Sequence, residues 1–134
     1  MLTSDRNTPE KEGKYLAIEV AANTIIYAGS LVAVNSSGHA VPGKNEDGLT
    51  GVGRAEEYAN NSPGENEPIF IKVKKGIFKF SNDNTLPVTA SDINSSCYIK
   101  DDATVRAKDT TPSASNPVAG MVFAVENDGV WVKF

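Results

Sequence analysis

The sequence predicts an all-β fold: a small, barrel-like single domain with long loops, at most one or two helical turns, and a flexible N-terminal arm. Three observations carry this prediction. Short runs alternate apolar and polar residues at the two-residue period of a half-buried strand, as in Leu16, Ile18 and Val20. Turn clusters containing glycine punctuate those runs. No stretch of useful length carries the i, i+3, i+4, i+7 apolar stripe of an amphipathic helix.

The elements follow in order. Residues 1–13 are polar, with Pro9, Gly13 and charges at Asp5, Arg6, Glu10, Lys11 and Glu12. With only Met1 and Leu2 to bury, this arm cannot offset its own ordering entropy, so it is expected to be mobile in the free protein. The body, residues 14–134, opens on the Leu16–Val20 alternation. Ala28-Gly29 reads as a turn, and Leu31–Val34 as a near-continuous apolar strand. Ser36-Ser37-Gly38-His39 reads as a hairpin turn, with Gly38 free to take positive φ. Residues 42–48 form a loop. Gly48, Gly51 and Gly53 suit a bent strand or a close backbone approach over Leu49–Tyr58.

Residues 59–68 read as a second long loop, with strong turn chemistry at Asn60-Asn61-Ser62-Pro63-Gly64. Beyond it Ile69, Ile71 and Val73 share one strand face, while Phe78 and Phe80 are out of phase with them. The flip falls at Lys75-Gly76 and demands either a bulge or a tight hairpin. Thr89–Ile93 resembles one capped helical turn. Cys97–Lys100 and Thr104–Lys108 read as short strands on either side of Asp101-Asp102, and residues 109–117 as a polar loop. The chain closes on a hairpin. Met121, Phe123 and Val125 alternate on one arm, Asn127-Asp128-Gly129 turns, and Val130, Val132 and Phe134 alternate on the other.

Composition narrows the function. With 134 residues the chain suits one domain and needs no metal or disulfide to fold. Its net charge of −4 argues against generic nucleic-acid binding, which needs a basic surface. The single cysteine, Cys97, excludes an internal disulfide and fits folding in a reducing cytoplasm. No apolar window approaches a membrane span, and the N-terminus lacks the basic start and apolar run of a secretion signal.

Chemistry is sparse. His39, the one histidine, reads as a solvated turn residue, because no nucleophile elbow accompanies it. Cys97 reads as a buried, inert thiol. One His and one Cys cannot make a zinc motif, and Asp101-Asp102 and Glu56-Glu57 read as solvated acids. Gly51-Val52-Gly53 is too short for a dinucleotide fingerprint. No enzyme, cofactor or metal is expected. Lys72, Lys74 and Lys75, beside Phe70 and Phe78, mimic a nucleic-acid platform. In an acidic chain they read instead as an exposed strand face suited to an acidic protein surface.

One ordered set of segments resembles a known family. Leu31–Val34, Val41-Pro42-Gly43, Gly48–Ala55 and Ile71–Phe80 follow the order found in capsid cement proteins of tailed phages and prophages. The opening Leu2–Pro9 and the closing Gly129-Val130-Trp131-Val132 are similar to the same family. A weaker resemblance, over Leu31–Phe80, extends to lambda-type head decoration proteins. The resemblance implies a β-rich virion protein, made in the host cytoplasm, that binds the exterior of the expanded head. It implies the major capsid protein and further copies of itself as partners, commonly as a homotrimer, with no nucleic acid and no membrane. It also implies a capsid-binding arm, here Leu2, Thr3, Asp5, Arg6, Asn7, Thr8 and Pro9, which would add a strand to a capsid edge. Pro9 departs from that pattern, since proline limits pairing around it. The alternative is a receptor- or glycan-binding virion module using Tyr15, Tyr58 and Trp131; a small hydrolase around His39 is a third reading.

Overall fold

The computed structural model describes residues 1–62 and 67–134 and is all-β, with twelve strands and one 3-10 turn among those residues. The strands are β1 (Tyr15–Glu19), β2 (Thr24–Ile26), β3 (Leu31–Val34), β4 (Ala40–Pro42), β5 (Thr50–Ala55), β6 (Ala59–Asn61) and β7 (Phe70–Lys74). They continue as β8 (Ile77–Asn82), β9 (Ser96–Ile99), β10 (Thr104–Arg106), β11 (Val118–Glu126) and β12 (Gly129–Lys133). They form an antiparallel sheet ordered β1-β7-β5-β3-β4, a closed barrel ordered β10-β8-β12-β11-β9, and the small pair β2-β6.

β3 explains how these parts share one interior. Leu31 and Ala33 join the barrel core with Phe80, Ile99, Val122, Val130 and Val132. Val32, between them in sequence, joins a second core with Ile26, Ala55, Ile71 and Val73. A strand buried on both faces must be apolar at every position, which is why Leu31–Val34 shows no alternation. β5 pairs beside it in the sheet and approaches β11 of the barrel closely. A Cβ on Gly51 would lie 2.0 Å from the Ala119 carbonyl oxygen of β11, so only glycine permits this approach. The pairing of β3 with β5 also shifts register between Val32 and Ala33, so β5 is both bent and closely approached.

The phase flip at Lys75-Gly76 has a different cause from either a bulge or a hairpin. β7 pairs with β1 and β5, whereas β8 pairs with β12 and β10, so the chain passes from the sheet into the barrel between them. Gly76, at φ +157°, makes the crossing. The Lys75 N–H donates to Lys14 on the sheet side, and the Gly76 carbonyl accepts from Phe134 on the barrel side. The apolar face changes because the core it points to has changed.

Two further expectations are corrected. Ala59–Asn61 is strand rather than loop: it pairs with β2, and the Asn61 amide donates to the carbonyls of Val20 and Ala21. Of the turn placed at Asn60–Gly64, Asn60 carboxamide oxygen accepts from the Ser62 N–H, while Pro63 and Gly64 lie outside the described residues. In the closing hairpin, Met121 and Phe123 do not share the buried face of Val125. A bulge between Val122 and Ala124 rephases β11, so Val122 is fully buried while Met121 and Phe123 are 46% and 55% exposed. β12 keeps its alternation, with Val130 and Val132 buried and Trp131 turned to the other face. The Thr89 turn is capped as read: its N–H donates to the Asp92 carboxylate, closing a capping box.

Local polar bonds hold the loops. The buried Asp83 carboxylate accepts from Lys100 Nζ and from the Thr85 and Leu86 N–H groups. The Lys100 ammonium, chiefly, holds its carboxyl below the usual range. Buried Arg106 donates to the carbonyls of Ala107 and Ser115 and to the side-chain oxygens of Asn45 and Asn116, tying residues 109–117 to the 43–48 loop.

Candidate protein-contact surface

The alternation of β7 decides what faces outward. Ile71 and Val73 are fully buried, so Phe70, Lys72 and Lys74 stand on the opposite face. β1 pairs antiparallel beside them, setting Tyr15 opposite Lys74, Ala17 opposite Lys72 and Glu19 opposite Phe70. Lys72 Nζ lies 4.3 Å from the Tyr15 ring centroid and Lys74 Nζ lies 5.7 Å from it. Each such cation–π contact contributes about 0.5–1 kcal/mol at an exposed site. The two ammonium groups are therefore drawn off β7 and over β1. Phe70, 56% exposed, and Glu57 complete a shallow groove of about 380 Å³ with Tyr15, Ala17 and Lys72. The Glu57 carboxylate is engaged there, accepting the Lys72 backbone N–H.

Among the described residues, Lys14, Lys72, Lys74 and Lys75 have no carboxylate within 4.0 Å, whereas Lys44, Arg54, Lys79 and Lys100 do. The structure thus brings Lys72 and Lys74 together. Lys75 stands apart, half-buried at the crossing into the barrel, and its ammonium is not over the Tyr15 ring. The arm residues Leu2, Thr3, Asp5, Arg6, Asn7, Thr8 and Pro9 are all exposed and carry no strand; the arm enters β1 directly.

The remaining candidates are scattered. His39 is half-buried, with Nε2 3.8 Å from the Glu19 carboxylate. Cys97 is fully buried, and burial pushes its thiol up to about 11, so it is not a thiolate at neutral pH. Glu56 pairs with Arg54 at 2.8 Å, Asp101 accepts the Ala103 N–H, and Asp102 accepts the Ser30 hydroxyl. No group of three or more His, Cys, Asp or Glu is placed to hold a metal ion among the described residues. No helix among them is long and apolar enough to cross a membrane.

The three aromatics of the glycan reading have different neighbours. Tyr15 lies under Lys72, Tyr58 packs 5.6 Å from Tyr27, and Trp131 lies 5.7 Å from Lys79 Nζ. No aromatic contact joins them to each other among the described residues. The exposed Tyr27–Tyr58 pair escaped the sequence reading, because Tyr27 sits on no alternating run and meets Tyr58 only through the β2–β6 pairing.

No family model, curated protein or solved structure matches this chain.

Proposed function

We propose that this chain is a capsid cement protein, a structural component without catalytic activity that binds the exterior of an expanded phage head as a homotrimer. The observation that carries this reading is a juxtaposition. An exposed, strandless arm runs directly into β1, and the outer face that β1 shares with β7 carries exposed Tyr15 and Phe70 beside Lys72 and Lys74, which have no carboxylate within 4.0 Å among the described residues. Such a surface supports a protein-binding reading, and the sequence resemblance to cement proteins supplies the kind of partner. Exposed Tyr15 and Phe70 are of the residue types enriched at protein interfaces, and the lysines beside them add charge complementarity toward an acidic partner.

The mechanism is mass action. A ligand that binds only the expanded lattice stabilises that lattice by RT ln(1 + [L]/Kd), about 2.7 kcal/mol at a hundredfold excess over Kd. A trimer grips several subunits at once, so modest contacts per copy sum to tight attachment. Expanded heads lacking this protein are therefore expected to disrupt at a higher temperature once it is added, with the shift rising as the logarithm of its concentration. Heating heads with increasing amounts of protein, and following genome release by dye fluorescence, checks this. A disruption temperature that ignores the added protein would contradict it.

A further inference from the structure

The hydrogen-bond parity of β1 leaves one side of that strand open. Val20 N–H donates to Ile69, and Lys75 N–H donates to Lys14. Both bonds belong to the register that sets Tyr15 opposite Lys74, so the even-numbered residues from Lys14 to Val20 turn their backbone groups toward β7. Tyr15, Ala17 and Glu19 must turn theirs the other way. β1 is the first strand of the sheet, and its pairing partner is β7 alone. Among the described residues the outward N–H and C=O groups of Tyr15 and Ala17, and the N–H of Glu19, have no backbone partner, while the Glu19 carbonyl faces Ala40 of β4 in the Val20–Ala40 bridge. The opening is bounded at one end, where Val20 bridges Ala40 of β4 and Ala21 donates to it.

We propose that this open edge is a strand-acceptor site, which takes an extended segment of a partner chain bearing carboxylates at alternate positions. Charge selects this occupant. A strand added to β1 lies about 4.8 Å beyond it, and its side chains on the outer face stand beside Tyr15 and Ala17. Lys72 and Lys74 belong to the next strand inward, yet their ammonium groups already lie over Tyr15, displaced toward the edge. They are placed to meet acidic side chains on the incoming strand without a rotamer search. The acids nearby do not compete: Glu57 accepts a backbone N–H of β7, and Glu19 is beside His39 at the bounded end. Main-chain bonds would supply attachment, and the lysine pair would set the choice of sequence. This site belongs to the body and is distinct from the arm, which donates rather than accepts in the reading above.

The test uses the full chain and synthetic eight-residue peptides. One alternates Glu with Val or Thr, a second replaces each Glu by Lys, and a third carries N-methyl groups on its ladder-forming amides. Amide exchange is followed by NMR. The Glu peptide is expected to slow exchange at the Tyr15, Ala17 and Glu19 amides by about tenfold or more at millimolar concentration, with the other two peptides inert. Lys72→Glu with Lys74→Glu should reverse the preference to the Lys peptide. Ala17→Pro should abolish binding while leaving the fold intact, because the N–H it removes faces the open edge. Equal protection by the Glu and Lys peptides, or none by either, would overturn the proposal. So would protection in the free chain that grows with protein concentration, which would assign the edge to a second copy. Heads are absent from this test, so failure here leaves the cement reading to be judged by head binding alone.

Discussion

Gly51→Ala is expected to destabilise the protein by about 3 kcal/mol or more, lowering its melting temperature by roughly 10 °C. The added Cβ would stand 2.0 Å from the Ala119 oxygen and 2.8 Å from its carbonyl carbon, both backbone atoms of β11. A flexible side chain could move aside; this neighbour cannot, because Ala119 is itself buried in the barrel core. Relief would require β5 and β11 to separate, opening the contact between the sheet and the barrel. Gly13→Ala is the matched control, since nothing lies within 4 Å of a Cβ there, and no measurable change is expected. Thermal melts of both variants check the contrast. A Gly51→Ala protein as stable as wild type would mean that the two layers do not approach as described.

Deleting residues 1–13 is expected to have the opposite signature: an unchanged melt and, on the cement reading, a loss of head binding of about a hundredfold or more. The arm contributes no strand and all of its residues are exposed, so its removal uncovers no core. In the cement reading its contribution to binding comes from ordering on the partner, where main-chain pairing and Leu2 burial would first become available. Pro9 should confine that pairing to the segment before it. Truncated protein that decorates heads as well as the full chain would remove the arm from the mechanism and leave the body face to account for attachment.

The all-β class was legible because its signals are local. Alternation in β1, β7 and β12 sorts buried from exposed residues directly, and it also placed Lys72 and Lys74 together on an outer face. What escaped depends on contacts distant in sequence. β6 is Ala-Asn-Asn, which has no strand signal of its own and is ordered by pairing with β2. The flip at Gly76 looks the same in sequence whether the strand bulges, turns back or changes sheet; only the partners of β8 decide. Closure of the barrel rests on a short parallel pairing of β8 with β10, which no local pattern announces. The bulge at Phe123 reverses the face of its residue without a glycine or proline to mark it. The open edge of β1 was invisible for the same reason: an edge is defined by a neighbour that is not there.

The most direct test of the central claim is co-sedimentation of the purified chain with expanded, undecorated heads of the phage to which the cement reading assigns it, against unexpanded proheads. The cement reading predicts saturable binding to expanded heads, in multiples of three copies per binding position, and none to proheads. Failure to bind either particle, or equal binding to both, would contradict it.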